Sequence, residues 1–176
     1  MRIKVILPFI GVCLLQSCGN HGTKKETRSV FRYNEASGIT SLDPAYARGQ
    51  ADIRACNQLY NGLLQMNDQL EPVPCISSSY SLNNQGTLYR FRLRDDVYFH
   101  NNPCFIGGKG RKVAASDFVY SLTRLADPSV ASPGSWVLNQ VKTDESGKPL
   151  IYAVGDTVLC IELKHPFPPF AGLLRS

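Results

Sequence analysis

The sequence predicts a mixed α/β (α+β) fold of short strands and short helices. Three stretches carry that expectation. Residues 87–93 alternate, with Thr87, Tyr89, Phe91 and Leu93 against Leu88, Arg90 and Arg92, as one half-buried strand does. Phe118, Leu122 and Leu125 recur at helical spacing after Ser116, which stands where an N-cap is wanted, and Asp117 in the first turn suits the helix dipole. Residues 151–154 and 157–163 read as two strands around Gly155-Asp156, a hairpin turn.

The remaining elements follow in order. Residues 1–17 read as a secretory signal: Arg2 and Lys4 give a positive flank, an apolar run follows, and Ser17 closes it. The run is shorter than the about 20 apolar residues a membrane span needs. Cys18, directly after the cleavage point, is where bacterial lipoprotein processing acylates a chain, so Cys18 is the expected lipidation site. Everything beyond it then lies outside the cytoplasm. Residues 18–28 are polar and aperiodic and read as a flexible tether. Residues 29–176 are the folding part.

Within that part, residues 29–34 are β-branched and aromatic and predict a strand. Leu42-Asp43-Pro44 is a turn. Residues 52–60 have helical spacing, with Ile53, Cys56, Leu59 and Tyr60 on one face, and Asn61-Gly62 stops them. Residues 63–66 form a short strand, and Pro72-Val73-Pro74 is expected to break the chain. Residues 101–112, rich in Asn, Pro and Gly, are a surface loop. Asp127-Pro128 ends the second helix. Residues 144–149 are an exposed loop, and residues 166–170 are a stiff turn leading into a helix. No cap or closing strand follows that helix, which reads as truncation of a longer protein.

Composition excludes more than it selects. The formal charge of +5 includes Arg2 and Lys4 of the signal, and the other basic residues are scattered, so a nucleic-acid partner is not expected. Cys56, Cys75, Cys104 and Cys160 remain after the signal and Cys18, and the compartment permits disulfides without fixing a pairing. His100 and Cys104 have metal-ligand spacing, but no second ligand pair accompanies them, so no metal site is expected. No phosphate-binding glycine loop, nucleophile elbow or paired catalytic carboxylate is present. The sequence therefore points to binding, with no enzyme activity and no cofactor.

The motifs fall in an order that resembles the N-terminal part of the family 5 extracellular solute-binding proteins. These are the oligopeptide- and dipeptide-binding components of ABC importers. The resemblance rests on Leu42-Asp43-Pro44, on Leu59-Tyr60-Asn61-Gly62-Leu63-Leu64, and on residues 89–100. It continues through Ala115-Ser116-Asp117-Phe118-Val119-Tyr120-Ser121-Leu122 with Arg124, then Asp127-Pro128, Ala131-Ser132-Pro133 and Pro166-Phe167-Pro168-Pro169-Phe170. It implies the first strand of lobe one of a bilobal periplasmic-binding-protein fold, followed by the peripheral domain. It also implies a monomer that captures a peptide for ABC permease subunits, held to the membrane through its lipid anchor. Peptides are held by strand addition in such relatives, and a hinge then closes over them.

The resemblance places part of the ligand wall at Ala47, Arg48, Gly49 and Gln50. Gly49 reads either as a place for close backbone approach to a ligand or as the turn before the helix. Arg48 stands where relatives often carry an acidic residue. Gly134 removes side-chain contact where relatives can place an aromatic. Trp136 reads as a core tryptophan on residue type, and as a substitute ligand-facing aromatic under the resemblance. Relatives also carry nickel chelates, sugars and haem, so the resemblance leaves ligand identity open.

Overall fold

The computed structural model describes residues 30–174. The signal, Cys18 and the tether lie outside the described residues. The chain divides into two units, residues 1–34 and residues 35–176.

In the first unit, the described residues 30–34 form no strand, which corrects the expectation for 29–34. Val30 and Phe31 are 72% and 89% exposed. A β-prone run becomes a strand through cross-strand packing, and propensity alone does not supply it.

The second unit contains α1 (Gln50–Leu59), β1 (Leu64–Met66), β2 (Pro72–Pro74), β3 (Ser77–Leu82), β4 (Leu88–Leu93), α2 (Ala115–Arg124), β5 (Ile151–Val154), β6 (Val158–Glu162) and α3 (Phe170–Leu173). Short 3-10 segments lie at Pro44–Tyr46, Ile106–Gly108 and Ser135–Gln140. The main sheet is antiparallel in the order β3-β4-β6-β5, and β1 and β2 form a separate ribbon.

The alternation in β4 sets the core. Tyr89, Phe91 and Leu93 are buried, and Arg90 and Arg92 face out. Phe91 pairs in register with Leu159 of β6 and Tyr80 of β3, and Tyr89 pairs with Ile161. The rings of Tyr80, Tyr89 and Phe91 stack, with Phe91 5.6 Å from Tyr80 and 6.0 Å from Tyr89. Phe118, Val119, Leu122 and Leu125 bring α2 onto this core.

Several local expectations are corrected. Helix α2 begins at Ala115 with Ala114 as N-cap, not with Ser116. The Asp117 carboxylate accepts the Ala114 backbone N–H at 2.9 Å, and the Asp117 N–H donates to the Ala114 carbonyl at 3.0 Å. That is the reciprocal half of a capping box, which works from N3 whatever residue stands at the N-cap. Pro72 and Pro74 do not break the chain. Cys75 donates its N–H to the Leu63 carbonyl, so by antiparallel alternation Val73 faces Gln65 as the bonded position and both proline nitrogens point away. Strand β3 carries no strand signal in its sequence, because its serines mask the Tyr80 and Leu82 alternation.

Trp136 is not a core residue; it is 56% exposed. In a 3-10 turn, residues three apart share a face, so burial of Leu138 and Val141 turns Trp136 outward. The face expected on α1 is also mostly open: Cys56 is buried, while Ile53, Leu59 and Tyr60 are exposed. Cys56, Cys75, Cys104 and Cys160 are all free thiols, the first and last of them buried.

Candidate functional site

The site region is assembled around the turn Pro44–Tyr46. Asp43 caps that turn by accepting the Ala45 N–H at 3.0 Å. The same carboxylate receives both arms of Arg124 from the last turn of α2, at 2.9 and 2.7 Å. A forked guanidinium–carboxylate pair fixes orientation as well as distance. The Arg124 guanidinium holds the Asp43 carboxyl below the usual carboxylate range. It also lies 5.7 Å from the centre of the Tyr46 ring.

Just downstream, Asp52 in the first turn of α1 is buried. It accepts the Thr40 N–H at 2.7 Å, the Thr40 hydroxyl at 2.8 Å and the Ser41 N–H at 3.3 Å. These donors, led by the Thr40 backbone, push its carboxyl down to about 2. The Ser132 hydroxyl donates to the Ala45 carbonyl at 2.6 Å. Three separate elements therefore fix residues 40–46.

Beside the turn lies an open cavity of about 500 Å³. Its walls are mostly apolar, with Tyr60, Leu63, Phe118, Leu122 and Leu174 among them, and Asp43, Arg124 and Gly134 also line it. Asp117 adds a second forked pair with Arg111, whose guanidinium lies 4.9 Å from the centre of the Phe99 ring. Each of these charged groups is already paired. The cavity suits an apolar occupant more than a free ion.

None of the five residues expected at a ligand wall lines this cavity. Ala47 is half-buried, and Arg48, Gly49, Gln50 and Trp136 are exposed. Gly49 is the N-cap of α1 at φ −93°, ψ 163°, and a Cβ built on it would meet nothing within 4 Å. Neither backbone angle nor packing in this chain demands glycine there. His100 and Cys104 gather no further ligands; among the described residues no group of three His, Cys, Asp or Glu side chains is placed to hold a metal ion. Asp43, Arg124 and Ser132 stand within the family-like motifs, but nothing local in the sequence gives them a place in the site. Pairs separated by 81 and 87 residues leave no local signal.

The fold matches part of the solved structures of solute-binding proteins. The structure is similar to the unliganded open form of the periplasmic murein tripeptide binding protein MppA, with TM-score 0.65 and 31% identity, over 76% of this chain and 26% of that one. It is also similar to the pheromone receptor PrgZ, with TM-score 0.68 and 26% identity, over 78% of this chain and 27% of that one.

The chain belongs to the bacterial extracellular solute-binding proteins, family 5, whose middle-region model matches residues 71–176. In sequence it is 33% identical over 146 residues to the periplasmic murein peptide-binding protein MppA of Escherichia coli, covering 77% of this chain and 26% of that protein. It is 30% identical over 162 residues to the periplasmic oligopeptide-binding protein OppA of the same organism, covering 86% of this chain and 28% of that protein. The chain thus spans about a quarter of the length of these relatives.

Proposed function

We propose that this chain is the N-terminal part of a peptide-capturing component of an ABC importer. It hands its ligand to permease subunits and is held at a bacterial membrane by a lipid on Cys18. The observation that carries the reading is the match to relatives named as peptide-binding across most of this chain, with the fold retained. On the molecule, the anchored turn before Ala47 supports it: a wall that meets a peptide backbone has to be held still. Ala47, Arg48, Gly49, Gln50 and Trp136 are the proposed ligand-facing residues. The open space around Gly49 leaves room for a main chain to approach. The working unit is a monomer without a cofactor, and its role is capture, not catalysis.

Calorimetry and thermal shift of the processed chain against mixed di- to oligopeptides test the reading. Heat release and a raised melting temperature support it; neither response, at peptide concentrations that saturate a full-length relative, removes peptide binding from this chain. Mass spectrometry of the membrane fraction tests the anchor. The expected result is an acylated Cys18 N-terminus that Cys18→Ser abolishes, and a soluble, unacylated wild type would refute it.

A second reading is a structural or interaction lipoprotein built on the peripheral domain, or a non-functional fragment. A folded chain that is acylated yet silent towards peptides is its signature.

A further inference from the structure

We infer that Ser132, with the Arg124–Asp43 pair, is a positioning group that locks the two proposed ligand-facing segments into one unit. The inference rests on the peptide-binding reading above. The Ser132 hydroxyl donates to the Ala45 carbonyl at 2.6 Å and accepts the Gly134 N–H at 3.1 Å. Ala45 sits in the turn that leads into residues 47–50, and Gly134 is the N-cap of the turn that carries Trp136. One oxygen therefore connects both segments.

A local serine turn would account only for the bond to Gly134. The bond to Ala45 crosses 87 residues and is buried, with Ser132 6% and Ala45 5% exposed. The backbone is bent where this contact is made. Ala131, immediately before, has φ 48°, a left-handed conformation that a non-glycine residue adopts at a cost. Such outliers persist where the surroundings over-determine them. The bend leaves Ala131 and Pro133 exposed while Ser132 faces inward. Arg124 holds Asp43 in a fork and lies against Tyr46, so the same turn is fixed to α2. Movement of the turn is then transmitted to Gly134 through the Ser132 oxygen.

Trp136 is the sole tryptophan and reports on its own turn without interference. Time-resolved fluorescence anisotropy of the full chain is measured for the wild type, Arg124→Gln, Ser132→Ala and the double variant. Both single variants increase the local motion of Trp136, and the double variant adds nothing beyond Ser132→Ala, because both act through one oxygen. Trp136 unmoved by Arg124→Gln, or simple additivity, overturns the coupling. If Arg124→Gln does not fold by circular dichroism, Arg124→Lys keeps the charge, gives up the fork and replaces it.

A mixed-peptide titration accompanies the cycle. About tenfold weaker binding by Ser132→Ala, the equivalent of one hydrogen bond, supports the positioning role. Unchanged affinity overturns it. A wild type that does not bind overturns the peptide reading instead, and the anisotropy cycle still decides the coupling.

Discussion

Replacing Phe91 with alanine tests whether the alternation in β4 is the organising feature of the fold. Phe91 is 0% exposed, stands opposite Leu159 and Tyr80 in register, and stacks on Tyr80 and Tyr89. Burying a side chain of this size stabilises by roughly 1.5–3 kcal/mol. The aromatic contacts add about 0.5–1.5 kcal/mol. With the cavity left in a sheet that cannot fully collapse, the total loss comes to about 3–5 kcal/mol. That is a large share of the about 5–15 kcal/mol that holds a domain together. Urea unfolding followed by circular dichroism reads it: with a slope of about 2 kcal/mol per molar, the midpoint falls by roughly 2 M. Ile106, which is 101% exposed, supplies the control; Ile106→Ala stays within about 0.5 kcal/mol of wild type. A Phe91→Ala midpoint within about 0.5 M of wild type at unchanged slope would refute the packing described for β4.

Four further outcomes follow from particular residues. The Asp52 carboxyl titrates near 2 when folded and near 3.8 when unfolded, so its contribution is complete above the unfolded value and is lost as pH falls from there towards 2. Asp52→Asn flattens the acid limb of a stability–pH curve, and a curve parallel to wild type below pH about 4 contradicts the assignment. A Cβ at Gly110 would lie 1.8 Å from the Phe99 carbonyl oxygen, so Gly110→Ala costs about 1–3 kcal/mol or more. The protection of the Phe99 and Val113 amides against hydrogen exchange, which bond to Arg111 and Val97, goes with it. Gly49→Ala meets open space but places a poorer N-cap on α1, so it costs about 0.5–1 kcal/mol with no steric clash. With a thiol reagent, Cys104 reacts at once while Cys56 and Cys160 wait for unfolding; rapid reaction of Cys160 in the native chain would place β6 at the surface.

The strands and helices that carry a strong period were legible in the sequence. β4, α2 and the β5–β6 hairpin stand where alternation and helical spacing put them, because those patterns report which face is buried. β3 and β2 were not legible. A serine-rich strand and a proline-flanked one are held by the neighbours they pair with, and their own composition argues for turns. The α1 face was legible as helix yet misleading as core, since periodicity gives a shared face and says nothing about whether anything covers it. Trp136 failed in the same way: residue type favours burial, and the geometry of a 3-10 turn decided otherwise.

The candidate site divides similarly. Ala47, Arg48, Gly49, Gln50 and Trp136 came from motif order, which marks segments along the chain. The groups that hold those segments are Asp43 with Arg124 and Ala45 with Ser132, whose partners are 81 and 87 residues apart. Sequence by itself determined the class of fold, the buried face of β4, and membership in a family of solute-binding proteins, because each is written in local pattern and ordered motif. Tertiary structure alone decided which polar groups meet. A hydrogen bond depends on distances of a few ångströms between residues that only folding brings together.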